Sequence, residues 1–219
     1  MGQEDRSPVP ENGGIVLAAK RVLDLLVAIP LLIIISPLWL FIVIWIKTDS
    51  PGPAIFRQKR AGIGGELFTI YKFRTMVPNA DAVMKAKIGQ LKQEGKFDPE
   101  SFVFQEKDDP RITRSGRFLR KTSLDELPQL LNIINGTMSL VGPRPEVPEI
   151  VEQYTPEQRK RLDMPPGVTG LAQINGRSEL TLAETLRYDV QYVTDWTFRA
   201  DIKILWKTFF VVLTGKDAY

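Results

Sequence analysis

Asp125 and Glu126 stand side by side in Thr122-Ser123-Leu124-Asp125-Glu126-Leu127-Pro128-Gln129. Adjacent carboxylates can serve as a nucleophile, a general base or ligands of a hard cation. Composition narrows the choice. The 219 residues include no cysteine and no histidine, which excludes thiolate catalysis, disulfides and imidazole acid–base chemistry. Any proton carrier must be Asp, Glu, Lys, Tyr or water. Any metal must be held by oxygen, which favours Mg²⁺, Mn²⁺ or Ca²⁺ over Zn²⁺. Cations flank the pair: Arg111, Arg114, Arg117, Arg120 and Lys121 precede it, and Gly142-Pro143-Arg144-Pro145 follows. Pro143 and Pro145 stiffen the backbone on both sides of Arg144, and a guanidinium so held suits bidentate phosphate binding. Lys72 and Arg74 could also face a phosphate, and Asp201 could supply a third carboxylate. Each has a plainer reading, since acids are common in first helical turns and rigid turns with exposed arginines are ordinary.

Stepping outward, Leu127, Leu130, Leu131 and Ile134 recur at helical spacing and predict an amphipathic helix that opens at the acidic pair. Ser123 and Glu126 fit a capping box, and Gly136 fits a stop. Upstream, 54–58 and 67–73 read as two short strands joined through Gly62, Gly64 and Gly65. These glycines lack the Gly-Lys-Ser/Thr ending of a phosphate loop. Residues 79–95 read as an exposed helix, 97–109 as loop, and Ile112 with Leu119 as a short helix. Downstream come a strand at 138–141, a helix at 156–162, a shaped loop and strand at 165–177, and helices at 179–193 and 201–213. The last carries Ile202, Leu205, Trp206, Phe209, Phe210 and Leu213 on one stripe, which suits a core (the default) or a membrane interface.

Between Leu25 and Ile46 there is no charged residue. Roughly 22 helical residues extend about 33 Å, enough to cross a hydrocarbon core. No small-residue cleavage site follows, so the segment does not read as a cleaved signal. Ser36-Pro37 interrupts the run and predicts a break into two shorter helices. Lys20 and Arg21 lie before it, and Lys47, Arg57, Lys59 and Arg60 after it, so loop charge does not separate a spanning helix from a hairpin that re-enters one leaflet. Asp24 is placed to pair with Lys20 or Arg21. Residues 1–14 read as a disordered lead-in. The net charge of +3 is too modest to imply nucleic-acid binding.

Five blocks together carry a family resemblance. They are Ser36-Pro37 in the apolar run, Tyr71-Lys72-Phe73-Arg74-Thr75-Met76, Ser123-Leu124-Asp125-Glu126-Leu127-Pro128-Gln129, Val141-Gly142-Pro143-Arg144-Pro145, and Pro166-Gly167-Val168-Thr169-Gly170-Leu171-Ala172-Gln173-Ile174-Asn175-Gly176-Arg177. In this order they resemble the small monotopic phosphoglycosyl transferases of the bacterial sugar transferase family, from Lys20 to about Leu213. The resemblance leaves out the first dozen residues and covers 77–107 poorly.

The resemblance implies transfer of a sugar-1-phosphate from a UDP-sugar to a polyprenyl (undecaprenyl) phosphate with release of UMP, a step that begins surface polysaccharide or glycoconjugate synthesis. It makes Asp125 the nucleophile and Glu126 its partner, with Mg²⁺ assisting. Asp125, Glu126 and, more weakly, Asp201 are then the metal candidates. Arg144, framed by Pro143 and Pro145, is the first phosphate clamp, with Arg120 and Arg177 behind it and Lys72 and Arg74 as further cations. The implied fold is mixed α/β: a re-entrant broken helix at 15–48 and a catalytic domain at 49–219 with a small sheet or hairpin and several amphipathic interfacial helices. The implied location is the cytoplasmic face of a bacterial inner membrane, among membrane lipids, with exposed apolar surface that permits a homodimer. Two rival readings are a membrane-anchored scaffold and a glycosyltransferase that releases UDP.

Overall fold

The computed structural model describes residues 13–95, 109–176 and 180–214. The lead-in over 1–12, most of the 97–109 loop and Arg177 lie outside the described residues, whereas Gly13 and Gly14 already belong to a helix. That helix, α1 (Gly13–Asp49), has 37 residues and runs through both Pro30 and Pro37. The interruption expected at Ser36-Pro37 is therefore not a gap in the helix. A proline removes one donor and bends the ladder locally while the turns on either side persist. By length and composition α1 could cross a membrane. Leu26, Ile33, Ile34, Leu40 and Phe41 are 62–73% exposed, an apolar surface of the kind that meets lipid or a partner.

Two units divide the described backbone: 13–35, 57–71, 128–176 and 180–214 form one, and 36–56, 72–95 and 109–127 the other. In the first, the polar residues early in α1 anchor it to the structure that follows. Lys20 bonds Asp201 Oδ2 at 2.7 Å. Arg21 donates to the carbonyls of Ile133 and Ile134 at the end of helix α4 (Gln129–Ile134), where helical carbonyls lack partners. Asp24, expected to pair with Lys20 or Arg21, lies within the field of both cations and takes its hydrogen bonds from Ser139 Oγ at 2.9 Å and Leu140 N at 2.8 Å. Those donors belong to β3 (Ser139–Val141), which runs parallel to β4 (Gly167–Thr169) with Ser139 opposite Gly167.

Strands β1 (Ile55–Ala61) and β2 (Leu67–Phe73) form the second small sheet. Their connection contains Gly64 and Gly65 at positive φ, and it is too short for a parallel crossover. Asn132 of α4 is fully buried and stitches that helix to β2, accepting from Tyr71 N at 3.0 Å and donating to the Thr69 carbonyl at 2.7 Å. Phe68, Ile70, Leu130, Ile133, Met138 and Ile204 share one core. The helical stripe around α4 is thus rotated from the expected one: Leu130 and Ile133 are buried, while Leu131 is exposed.

Helix α5 (Pro148–Val151), helix α6 (Pro156–Arg159) with the 3-10 turn Lys160–Asp163, and helix α7 (Leu182–Thr194) complete this unit together with α8 (Phe198–Thr214). Capping boxes at Thr155/Gln158 and Thr181/Glu184 start α6 and α7. In α8 the buried side is Asp201 and Ile204, whereas Ile202, Trp206, Phe209 and Phe210 face outward. The default of core packing for that aromatic stripe is thereby corrected.

The other unit holds the end of α1, helix α2 (Ala80–Gln93) and helix α3 (Arg114–Lys121). Ile42, Ile46, Ala54, Phe73 and Leu119 make its core, with Trp39 edge-on to Phe73 at 5.5 Å between ring centroids. Alternation in β2 therefore breaks at its end, where Phe73 serves this cluster.

Candidate active site

The acidic pair lies on a 3-10 turn, Leu124–Glu126, rather than inside the first turn of an α-helix. Pro128 explains the difference. It cannot donate to Leu124, and its ring would strike that carbonyl in a continuous helix. Instead, Leu127 N bonds the Leu124 carbonyl at 3.2 Å, and α4 restarts at Gln129. Ser123 makes no side-chain cap, so the expected capping box is absent. Its φ of +56° is unique among the described non-glycine residues. It occupies the left-handed position just past α3, and Ser123 N bonds the Arg120 carbonyl at 3.1 Å. The chain thus reverses out of α3 into the acidic turn, where both carboxylates are half-buried.

Every residue from Lys72 to Thr75 has a traceable task. Lys72 reaches Glu126 Oε1 at 3.0 Å. Phe73 fills the core. Arg74, a candidate phosphate ligand by sequence, is buried and donates to the carbonyls of Pro53 at 2.6 Å, Ser50 at 2.7 Å and Ile46 at 3.3 Å. It thereby closes the C-terminal end of α1. Thr75 accepts from Arg120 Nε at 2.9 Å. Burial lowers the pKa of Arg120, while the charges of Asp125 and Asp109 raise it; Nη1 is buried without a protein partner. Gly116 lets α3 approach closely, since a Cβ there would lie 2.1 Å from the Thr75 carbonyl. Asp49 accepts from Ser115 N and Oγ, each at 2.7 Å, at the start of α3.

Arg111, one of the cations that precede the acidic pair, is buried with Asp109 as an ion pair at 2.5 Å. The Arg111 bonds hold the Asp109 carboxyl below its usual range. Arg114, Arg117 and Lys121 remain exposed.

The Arg144 candidate belongs to the unit built on β3 and β4. Its side chain is exposed, whereas Pro143 and Pro145 are buried. Gly142, Gly167 and Gly170 allow main chain to pack directly on main chain, with added Cβ atoms meeting backbone at 2.1–2.2 Å. Gly142 N bonds the Thr169 carbonyl at 2.8 Å.

Asp201 is fully buried in the same unit. It accepts from Lys20, from Tyr192 Oη at 2.7 Å and from Trp196 Nε1 at 3.2 Å. That donor set fits a helix anchor.

Sequence reasoning missed a second buried pair, Arg161 with Asp189, and Tyr154 beside it. The available signal was Asp189 itself, an acid on the same face of α7 as Leu186 and Tyr192.

Among the described residues no three acids cluster as a ready metal cage. Two adjacent carboxylates still fit Mg²⁺, which is commonly held by one or two carboxylates together with substrate phosphates and waters.

Undecaprenyl-phosphate galactose phosphotransferase of Salmonella typhimurium is 45% identical over 91% of this chain and 41% of its own length. UDP-glucose:undecaprenyl-phosphate glucose-1-phosphate transferase of Klebsiella pneumoniae is 40% identical over 94% of this chain and 42% of its own. Exopolysaccharide production protein ExoY of Sinorhizobium fredii is 41% identical over 94% of this chain and 89% of its own. The chain thus spans less than half the length of the first two relatives and most of the third. The profile of the bacterial sugar transferase family matches residues 15–215, and the chain belongs to that family.

Proposed function

We propose that this chain transfers a sugar-1-phosphate from a UDP-sugar to a polyprenyl phosphate, releasing UMP, through a phosphosugar ester on Asp125. The observation that carries the reading is the division of labour on the acidic turn. Lys72 engages Glu126, and the charge of Asp125 acts on the Arg120 guanidinium. In a chain without histidine or cysteine, this arrangement suits a carboxylate nucleophile. The names of the Salmonella and Klebsiella relatives support the donor and acceptor classes.

In the first step an Asp125 oxygen attacks the sugar-bearing phosphorus. The new O–P bond forms as the pyrophosphate P–O bond breaks, and the electron pair leaves with UMP. In the second step a phosphate oxygen of the polyprenyl acceptor attacks the same phosphorus, which forms the lipid pyrophosphate and frees the carboxylate. Arg120 offsets phosphate charge and Lys72 keeps Glu126 oriented beside the nucleophile, while Arg144 is the phosphate clamp that the family resemblance implies. Mg²⁺ bound near Asp125 and Glu126 would supply charge neutralisation on the pyrophosphate.

Intact-mass measurement after exposure to donor without acceptor should reveal the adduct, and Asp125→Asn should abolish both adduct and UMP. Substantial turnover by that variant would overturn the assignment. Release of UDP in place of UMP would identify a glycosyltransferase.

The same reading places α1 in one leaflet as a re-entrant anchor with the catalytic residues on the cytoplasmic side. Its extensive exposed apolar surface supports membrane anchoring. Cysteines introduced near residues 10 and 60 should both be labelled from the cytoplasmic side. Labelling from opposite sides would establish a spanning helix.

A further inference from the structure

The loop that carries Arg144 is tied down carbonyl by carbonyl. Pro143 O accepts from Gly167 N at 2.9 Å and Glu146 O from Ala61 N at 3.0 Å. Between them, Pro145 O accepts from Arg60 Nη1 at 3.2 Å and Arg144 O from Arg161 Nη2 at 2.6 Å. Arg161 is the buried one of these two arginines, only 2% exposed. The same Nη2 also donates to Asp189 Oδ2 at 2.5 Å, and Nη1 donates to Tyr154 Oη at 2.5 Å. The Tyr154 ring centroid lies 5.5 Å from the guanidinium carbon.

A fully buried ion pair is a poor source of stability. Desolvation of both charges offsets their attraction, and apolar replacements of similar volume are often neutral or better. What the pair supplies that an apolar pair cannot is a charge-assisted hydrogen bond to one chosen carbonyl. That carbonyl belongs to the residue whose side chain is displayed outward.

We propose that Arg161 is a positioning residue for Arg144: held by Asp189 and Tyr154, it fixes the main chain of the Gly-Pro-Arg-Pro loop so that the Arg144 guanidinium meets a donor phosphate in one place. This rests on the reading of Arg144 as a phosphate clamp. Arg161 acts through Arg144 and does not touch the substrate. Helix α7, which carries Asp189, thereby sets the position of a loop far from it in sequence.

A double-mutant cycle tests the coupling. Full-length chain in nanodiscs is assayed for UMP release as wild type, Arg144→Ala, Asp189→Asn and the double variant, with melting followed in parallel. Asp189→Asn keeps the side-chain shape and removes the charge opposite Arg161. The expected result is a loss in kcat/KM of about tenfold for Asp189→Asn in the wild-type background and none in the Arg144→Ala background. Losses that multiply, or an Asp189→Asn variant with wild-type kcat/KM, would overturn the proposal. Should Asp189→Asn melt below the assay temperature, Arg161→Lys, which retains a cation beside Asp189, replaces it under the same criteria. An Arg144→Ala variant with wild-type turnover would overturn the clamp reading itself, and this proposal with it; the Arg144→Ala arm alone identifies that failure.

Discussion

Around Asp125 and Glu126 the structure relies on side chains: Lys72 reaches Glu126, Thr75 holds Arg120, and the charge of Asp125 acts on that guanidinium. Around Arg144 the main chain is fixed, with four successive carbonyls bonded and three glycines packed backbone to backbone. The two regions should therefore fail differently. Side-chain changes on the acidic turn alter chemistry while the fold survives. Changes that add bulk to the glycines of the Arg144 loop remove the fold before chemistry can be measured.

The largest expected effect is that of Asp125→Asn, a loss of about 10⁴-fold or more in turnover. Its melting temperature should stay within about 2 °C of wild type, because the side chain is only half-buried. A large fall in melting temperature would show that the turn depends on this carboxylate for stability, and the contrast would break. Gly142→Ala should show the opposite pattern, with more than about 4 kcal/mol lost in denaturant unfolding. Its Cβ would lie 2.2 Å from the Pro165 carbonyl.

Asp201→Asn sharpens the comparison from a third position. Removing the carboxylate leaves Lys20 buried without its anion, which should cost about 3 kcal/mol in unfolding. The Mg²⁺ dependence of turnover should be unchanged; a weakened dependence would return Asp201 to the metal site. The smallest effect concerns pH. Burial raises the Asp189 carboxyl from 3.8 to about 6, with Arg161 opposing the shift. Because the folded value is the higher one, the folded state binds the proton more tightly between these limits. This group's contribution to stability is thus greatest below pH 3.8 and is lost as pH rises to about 6. Asp189→Asn should flatten that part of the stability-versus-pH curve, and an unchanged slope would place the proton elsewhere.

Local elements were legible where one residue type has one physical meaning. Gly64 and Gly65 marked the turn between β1 and β2, Gly136 ended α4, and the long apolar run marked α1. The acidic turn was legible as two adjacent carboxylates, and its geometry was misread. Ser123 and Glu126 satisfy the spacing of a capping box, but Pro128 imposes a tight turn that spacing does not encode. Arg74 and Asp201 looked like ligands because charge is visible in sequence and burial is not. Their partners, the carbonyls near residue 50 and Lys20, come from distant parts of the chain. The same long separation hid Arg161, whose target is a carbonyl, a group that every residue possesses.

Arg74 leaves no slack where α1 ends. Its guanidinium grips the carbonyls of Ile46, Ser50 and Pro53, so the stretch that would ordinarily serve as a pliable tether is a rigid joint two residues from Lys72. Spacers, tags or a substitute anchor grafted between residues 46 and 53 would disturb the lysine that braces Glu126. Engineering of the apolar helix α1 has to cut upstream of Ile46.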